Sequence, residues 1–404
     1  MQTQPLRLWN YSLTVALALL IPFNLIASLG MDIYLPIVPA MPSILGTSPS
    51  IIQLTLTLYM IMLGVGQVVF GPISDGIGRR PVLAFGAILF VLSSFGLGAV
   101  STAAPFVALR GAQALGASAM LVAIFATIRD VYADRPESGT IYSLMNAMLS
   151  FVPALGPIIG AIVAEAFGWR WIFYLLGIAA LILTAAILPK WRETRVRRAE
   201  PTNLTARDIL SSRAFWAYTF AFGTAMGAFF VFFSTAPRLL IERAGYGEFG
   251  FSVAFATVAV VMIAVSRFAA IFVDRWGVRG CACRGLLLML AGALLLLLGH
   301  LILAPSLLSF IMPMWLVAVG IVMIGSVTAN GALAEFGEIA GMAVALHFCV
   351  QSLIVGVVGT AFVVMLGGDT ALPLITYTTI MASVSFAWVR AAGSDTRQCI
   401  EKYQ

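Results

Sequence analysis

Residues 71–81 form a short polar stretch between two long apolar runs and read Gly71-Pro72-Ile73-Ser74-Asp75-Gly76-Ile77-Gly78-Arg79-Arg80-Pro81. A carboxylate comes first, then a glycine suited to a tight turn, then a basic pair. About half a chain later, residues 274–279 read Asp274-Arg275-Trp276-Gly277-Val278-Arg279 and repeat the pattern Asp-x-x-Gly-x-Arg. We call residues 71–81 the first clasp and residues 274–279 the second clasp. A polar turn that recurs between apolar helices predicts two similar halves, an organisation typical of membrane transport proteins.

The composition indicates a membrane protein. Of 404 residues, 61% are hydrophobic and 10% are charged, and the mean hydropathy is +1.02, whereas a soluble domain carries about 25% charged residues. The formal net charge of +6 comes from basic residues grouped in short connections, which favours membrane orientation over nucleic-acid binding. Cys281 and Cys283 lack zinc-ligand spacing and have no histidine near them, so we predict no metal site and no cofactor.

Apolar runs of about 20 residues, the length that crosses a bilayer as a helix, recur along the whole chain. We predict twelve spans, at residues 11–36, 50–73, 81–100, 104–127, 138–165, 169–189, 212–236, 248–270, 282–303, 307–328, 339–366 and 371–391. The first run is too long for a cleaved leader, and we interpret it as a retained span. The predicted fold class is all-α and membrane-spanning, with an N-terminal six-helix half (1–189), a basic linker (190–211) and a C-terminal six-helix half (212–404).

Lysine and arginine are distributed unevenly among the connections. They concentrate in the two clasps, after the fourth span and in the linker, whereas connections 37–50 and 100–104 contain none. Basic connections of membrane proteins stay on the cytoplasmic side. We therefore predict that both termini are cytoplasmic, which requires an even number of spans.

Two charged residues fall within the predicted apolar depth, Asp32 in the first span and Arg110 in the fourth. A charge at the bilayer centre costs at least ~2.5–3.5 kcal/mol, so each needs a partner or a water-filled cavity. Two roles remain open for these residues: an ion pair that joins the two helices, or a place on a substrate or proton path. If Asp32 lies near the outer end of its helix, its charge is less costly. Arg110 shares a helix face with Gln113, and small residues from Gly116 onward allow close packing of a neighbouring helix.

Three further patterns stand out in the spans. The fifth span contains Pro153, Gly156, Pro157 and Gly160, which predict a kinked helix with a bare face. Phenylalanines crowd the seventh span, and we expect one or two of them to line a cavity. His347 and Gln351 form a polar stripe on the eleventh span, for which an interhelical hydrogen bond and a substrate contact both remain open.

Together these motifs resemble the major facilitator superfamily. The first clasp is similar to its loop signature between the second and third spans, residues 109–116 to its fourth-span signature, and residues 156–160 to its fifth-span antiporter motif. Within that superfamily, a closer resemblance is to the chloramphenicol and florfenicol exporters, a branch of the twelve-span drug:proton antiporters. It is carried by residues 31–36, 51–56, 232–237 and 328–332.

The resemblance implies a multi-pass protein of the bacterial inner membrane, a monomer that exports small antibiotics by alternating access, driven by the proton motive force without a cofactor. It implies proton coupling by Asp32 and Arg110 and an antiporter motif at Pro153, Gly156, Pro157 and Gly160. The implied gating residues are Gly71, Asp75, Gly78, Arg79, Arg80, Asp274, Gly277 and Arg279. The implied substrate contacts are Phe23, Asn24, Asp32, Tyr59, Arg110, Met145, Met148, Phe229, Phe233 and Gln351. We also expect Asp75 to meet the start of the eleventh helix, at residues 337–341, where a helix N-terminus favours negative charge.

Two positions depart from the family pattern. Gly76 stands where the loop signature usually has a basic residue, and Asn24 stands where relatives carry an acid. Asparagine does not titrate in the physiological range. Either coupling rests on Asp32 alone, or the chain is a variant held in a state that resembles the proton-bound one.

Other functional classes fit the sequence less well. An exporter or symporter of another small amphipathic solute is the alternative function, although the antiporter motif favours export. An enzyme is not expected because no catalytic cluster is evident. A channel would not be expected to repeat the clasp in two halves.

Overall fold

The computed structural model describes residues 9, 11–132, 138–195, 206–336 and 340–402, except the side chains of 138–140, 142–144, 146–150, 329–330, 340–341 and 392–402. Every regular element in these residues is helical. The α-helices are α1 (Leu13–Asp32), α2 (Met41–Ile44), α3 (Pro49–Ile77), α4 (Arg79–Ala99), α5 (Ala103–Tyr132), α6 (Ser138–Phe167), α7 (Arg170–Ile187), α8 (Ala206–Ser211), α9 (Arg213–Pro237), α10 (Gly247–Ser266), α11 (Ala269–Ile302), α12 (Met312–Leu333), α13 (Ala340–Leu353), α14 (Thr360–Leu366) and α15 (Leu372–Lys402). A 3₁₀ segment (Leu35–Ile37) and π segments (Arg238–Arg243, Leu307–Ile311, Ile354–Gly359) adjoin these helices.

Eleven helical segments within the described residues are long and apolar enough to cross a membrane. They coincide with eleven of the predicted spans, and the remaining fifth span is α6, of which Phe151–Phe167 is the apolar part with described side chains. The spans begin at local sequence signals: the hydroxyls of Ser48 and Ser212 accept hydrogen bonds from backbone amides in the first turns of α3 and α9. The chain is therefore an all-α integral membrane protein.

The first clasp differs from the predicted polar loop, because α3 continues to Ile77 and α4 begins at Arg79. Only Gly78 breaks the helix, with φ 112° and ψ 164°. In the second clasp, Gly277 alone breaks α11, with φ 65° and ψ 173°. Both glycines lie in a backbone region that is essentially restricted to glycine. The two clasps thus share one turn conformation.

The chain divides into two compact units, Met1–Pro201 and Thr202–Gln404, and the boundary falls inside the stretch predicted as a linker. The first residues of that stretch pack onto the first unit. The rings of Trp9 and Trp191 are both buried and meet at 5.1 Å between centroids, and the Tyr11 hydroxyl donates to the carbonyl of Lys190 at 2.6 Å. The two ends of the first unit are therefore joined.

Each unit contains one crossing of helices through paired glycines. A Cβ atom at Gly86 of α4 would lie 2.7 Å from the carbonyl oxygen of Gly116 in α5, too close for a side chain. In the second unit, a Cβ atom at Gly285 of α11 would lie 2.9 Å from the carbonyl oxygen of Gly320 in α12. Small residues let helix backbones approach closely in membranes. The same crossing in both units supports the internal repeat.

Candidate functional site

Arg110 lies at the centre of a polar cluster inside the first unit. Its side chain is fully buried, and Nη1 donates to the carbonyl of Gly30 at 2.8 Å and to Oε1 of Gln113 at 2.7 Å. The guanidinium also lies 4.9 Å from the ring centre of Tyr34 and 4.6 Å from that of Tyr59, within the range of cation–π attraction. Its Nε and Nη2 have no hydrogen-bond partner among the described residues. Arg110 is anchored and still has two nitrogens free to donate.

A chain of hydrogen bonds holds the cluster in place. Nε2 of Gln113 donates to the Ser94 hydroxyl at 2.9 Å, and that hydroxyl donates to the carbonyl of Phe90 at 2.6 Å. The hydroxyl of Tyr59 donates to the carbonyl of Ala27 at 3.1 Å. Ser94 of α4 thus fixes Gln113, which in turn binds Arg110. Tyr59 of α3 is fixed to α1 and lies beside the guanidinium of Arg110.

Asp32 is the last residue of α1, and it is buried. At a rise of about 1.5 Å per residue it lies about 28 Å from Leu13, at the end of the bundle remote from the first clasp. No ion pair joins Asp32 to Arg110 in the described residues, since the guanidinium binds the carbonyl of Gly30 instead. The helix-joining ion pair considered from the sequence is thus not formed, and the helix-end position of Asp32 is the one observed.

The glycines of the fifth span pack directly on the end of α1. A Cβ atom at Gly156 would lie 2.9 Å from the Cβ of Asp32, and one at Gly160 would overlap the carbonyl oxygen of Ile33. Pro153 and Pro157 lie within the same helix, α6. The predicted bare face therefore exists, and its neighbour is the segment that carries Asp32.

The other substrate contacts predicted in the first unit are Asn24, Phe23, Met145 and Met148. Asn24 is buried, and neither its amide nitrogen nor its amide oxygen has a partner among the described residues. A buried amide without partners is costly, so this one has capacity for a ligand or a water molecule. Phe23 is buried with its ring centre 6.4 Å from that of Trp191, and Met145 is fully buried. The side chain of Met148 lies outside the described residues.

In the second unit, the predicted aromatic contacts belong to a ring cluster. Phe229 and Phe233 lie with their centroids 6.1 and 6.2 Å from that of Phe255 in α10. On α13, Nδ1 of His347 is 2.8 Å from the Thr219 hydroxyl of α9, which is the interhelical hydrogen bond of the two alternatives. Gln351, one turn further along, is also buried.

The first clasp is an ion-pair network. The buried Arg79 donates through Nε to Asp130 at 2.7 Å and pairs through Nη1 with Asp75 at 2.7 Å. Arg129 lies 3.6 Å from both carboxylates. The predicted meeting of Asp75 with residues 337–341 falls largely outside the described residues. Gly71 lies in α3, where an added Cβ atom would meet open space.

Glu193 caps the helix that follows the first clasp. Its carboxylate accepts from the backbone amides of Arg79 at 2.8 Å and Arg80 at 3.1 Å, and from those of Thr194 and Arg195. Sequence reasoning missed both Glu193 and Asp130. The available signal was an acid flanked by Arg192 and Arg195 at the start of the basic linker, and an acid at the end of the fourth span next to Arg129.

The second clasp has no such network. Asp274 forms no ion pair in the part of the chain that the structure describes, and Arg279 donates through Nη2 to the carbonyl of Arg390. The predicted gating residues therefore lie in two different environments. The first clasp has a buried arginine in an ion-pair network, whereas Asp274 and Arg279 of the second clasp are exposed.

Repeated spans, a repeated clasp and a buried polar cluster between helices define a multi-pass membrane transporter. The profile of the Major Facilitator Superfamily matches residues 20–360, and the chain belongs to that superfamily. It is 45% identical over 377 residues to a chloramphenicol resistance protein of Pseudomonas aeruginosa, covering 93% of this chain and 90% of the relative.

Other relatives are more distant. A bicyclomycin resistance protein homolog of Haemophilus influenzae is 27% identical, covering 87% of this chain and 89% of its own. The multidrug resistance protein MdtL of Klebsiella pneumoniae is 28% identical over 59% of this chain and 61% of its own. The crystal structure of a D-xylose-proton symporter superposes with a TM-score of 0.73 at 16% identity, over 94% of this chain and 97% of that one. That likeness shows the fold.

Proposed function

We propose that this protein exports chloramphenicol, florfenicol and similar small amphipathic drugs across the bacterial inner membrane, in exchange for protons and by alternating access. The observation that supports the substrate class best is the 45% identity over 93% of the chain to the Pseudomonas aeruginosa chloramphenicol resistance protein. Both termini face the cytoplasm in this proposal, because the basic connections lie on their side. The protein acts as a monomer, with the proton motive force in place of a cofactor.

Proton exchange is assigned to Asp32 and Arg110. Asp32 carries a buried carboxyl group at the end of α1. Arg110 donates to the carbonyl of Gly30, which is two residues before Asp32, and its Nε and Nη2 have no hydrogen-bond partner among the described residues. When the guanidinium moves next to the carboxyl group, the carboxyl group loses its proton more readily. When the guanidinium moves away, the carboxyl group takes up a proton more readily. A movement between α1 and α5 that changes the separation of Arg110 and Asp32 would in this way link proton release and uptake to alternating access.

The energy available is adequate for resistance. One proton that crosses ~100 mV supplies about 2.3 kcal/mol, and one pH unit adds about 1.4 kcal/mol. Together they support a gradient of roughly 500-fold for a neutral drug exchanged one for one.

The first clasp is assigned to closure at the cytoplasmic end. Asp75 is exposed on one side and paired with the buried Arg79 on the other, so it is available to bind a second element without losing its anchor. Asp75→Asn should impair export yet leave drug binding in detergent intact. Loss of binding as complete as the loss of transport would contradict the gating role.

The test of function is drug resistance of cells that express the chain, measured for chloramphenicol and florfenicol with and without a proton uncoupler. Resistance that the uncoupler removes is expected. Asp32→Asn should abolish it while the protein remains folded and present in the membrane. Full resistance in that variant excludes Asp32 as the proton carrier, and uptake of either drug would favour a symporter.

Asn24 is tested by drug-evoked proton release from purified protein across pH. An acid at this position would lie eight residues before Asp32 on the same helix, and the proposal expects the titrations of the two carboxylates to be coupled. Asn24→Asp should widen the pH range of exchange, and Asn24→Ala should only weaken drug binding. Identical proton counts and pH profiles in the chain and its Asn24→Asp variant would make the position a packing site.

A further inference from the structure

Three arginines of the second unit converge at one place. Arg279 of α11 donates to the main-chain carbonyl of Arg390 in α15. The guanidinium of Arg284, also on α11, lies against the main chain of Gly280, the residue that follows Arg279. We call these three residues the arginine cluster. All three side chains are exposed.

No carboxylate neutralises the arginine cluster within the described part of the chain. The guanidinium of Arg284 lies 4.8 Å from the ring centre of Trp276 and donates to the carbonyl of Gly280 at 3.2 Å. The guanidinium of Arg390 lies 5.6 Å from the ring centre of Phe386. Three neighbouring cations repel one another, and an anion bound between them removes that repulsion. Guanidinium groups match phosphate in geometry and donate to it in pairs.

An exposed apolar face leads away from the arginine cluster along the same two helices. On α15 it consists of Ile380, Val384 and Trp388, which follow one another at single helical turns and are 51%, 46% and 38% exposed. On α11, Leu287 and Leu294 are 49% and 57% exposed. Tryptophan is enriched where a membrane protein meets the lipid headgroups. The charge and the apolar face together fit a molecule with an anionic head and acyl chains.

We propose that the arginine cluster binds the phosphate group of an anionic phospholipid, whose acyl chains lie along the face formed by Ile380, Val384 and Trp388. The first clasp has no equivalent function, because Arg79 there is already paired with Asp75 and Asp130. The proposal does not depend on the substrate of the transporter.

The experiment uses the full chain, purified and delipidated in detergent, and titrates it with dioleoyl phosphatidylglycerol or dioleoyl phosphatidylcholine in mixed micelles. Bound lipid is counted by native mass spectrometry. Preferential binding of the anionic lipid is expected. Each arginine near the surface contributes roughly five-fold in affinity, so the variant with Arg279→Gln, Arg284→Gln and Arg390→Gln together should bind about 100-fold more weakly.

Matched controls separate this site from general surface charge. Arg284→Gln should weaken binding of the anionic lipid about five-fold, whereas Arg275→Gln, an exposed arginine on the same helix, should not. Equal affinity for the two lipids, or equal effects of the two variants, overturns the proposal. Gel filtration confirms that each variant remains folded.

A second readout identifies the source of the phosphate. Cys283 is partly exposed, and in a variant that keeps it while the other three cysteines are serine, its alkylation by a maleimide reports occupancy of the cluster. Phosphatidylglycerol should slow the reaction several-fold, and millimolar inorganic phosphate should not. Slowing by inorganic phosphate to the same extent overturns the lipid assignment and leaves a small-anion site.

Discussion

In the first clasp Arg79 is buried and binds two carboxylates, whereas in the second clasp Arg279 is exposed and its guanidinium donates to a main-chain carbonyl. The turns themselves are alike, since Gly78 and Gly277 adopt the same glycine-restricted backbone region. The two clasps therefore share a backbone conformation but not the partners of their charged side chains.

The glycine crossings give the register between the two units and explain the difference. Arg79 lies seven residues before Gly86, and Val278 lies seven residues before Gly285. In the same way Asp130 lies fourteen residues after Gly116, and Ala334 lies fourteen residues after Gly320. The buried ion pair of the first unit thus corresponds to two uncharged residues in the second. The turn needs one glycine, whereas the ion pair of Arg79 and Asp130 needs two matched side chains that lie 51 residues apart in sequence.

The largest difference between the clasps is expected when Arg79 and Arg279 are replaced, although the repeat matches Arg279 with the exposed Arg80 and Arg79 with Val278. Arg79→Gln removes the closest partner of the buried Asp130 and leaves it the longer contact with Arg129 at 3.6 Å, so we expect the free energy of unfolding to fall by about 3 kcal/mol, the lower end of the range for a broken buried pair. Arg279→Gln should change it by less than about 0.5 kcal/mol, because the side chain is exposed. Chemical denaturation in detergent measures both, and the exposed Arg80→Gln is the control within the first clasp. Equal losses at Arg79 and Arg279 would contradict the comparison.

A smaller difference is expected for the two turn glycines. Gly78→Ala and Gly277→Ala should each cost about 1–3 kcal/mol for the backbone region alone. Gly78→Ala should cost more, since its Cβ would overlap the Glu193 carboxylate, whereas nothing lies within 4 Å of a Cβ at Gly277. Combining Gly78→Ala with Glu193→Ala should remove the excess, and an excess that persists in the double variant would assign it to another neighbour.

Removal of the cap gives a third measure of the first clasp. Glu193→Ala should lower the free energy of unfolding by about 1–2 kcal/mol, because the first amides of α4 lose their acceptor. Glu193→Gln keeps one of the two oxygen acceptors, and it loses the charge and the acceptor of either the Arg79 or the Arg80 amide, so its cost should be about 1 kcal/mol, below that of Glu193→Ala. The order of the two variants is the result to check, and an inverse order would mean that the carboxylate is not a cap.

The smallest effect is expected from transplanting the ion pair into the second clasp. Val278→Arg and Ala334→Asp should each be neutral or slightly destabilising, and together they should show a favourable coupling of about 0.5–1 kcal/mol, the size of a partly exposed pair. A double-mutant cycle of unfolding measures it. Strict additivity would show that the register derived from the glycine crossings does not hold at the clasp.

Much of the fold follows from the sequence because it depends on local properties. Hydropathy placed the spans, and the glycines of the clasps marked the two turns. The buried position of Arg110 was also predicted, since a charge in an apolar run is conspicuous.

The partners of those charges were not predictable in the same way. Asp130 and Glu193 lie 51 and 114 residues from Arg79, and nothing in the local pattern says which acid a basic residue will meet. Asp32 and Arg110 were read as possible partners because their charges are opposite. Arg110 instead binds the carbonyl of Gly30, because helix rotation and end position decide which groups come within hydrogen-bond distance.

The capping of α4 by Glu193 also has a consequence for biosynthesis. The third span emerges from the ribosome before the residue that completes its amino terminus, which follows 114 residues later. At about 5–20 residues per second, translation of that interval lasts roughly 6–20 s. During this time the third span waits in the membrane with its first amides uncapped. The same late segment brings Trp191 to Trp9, so the first half of the protein is completed only when its sixth span has been made.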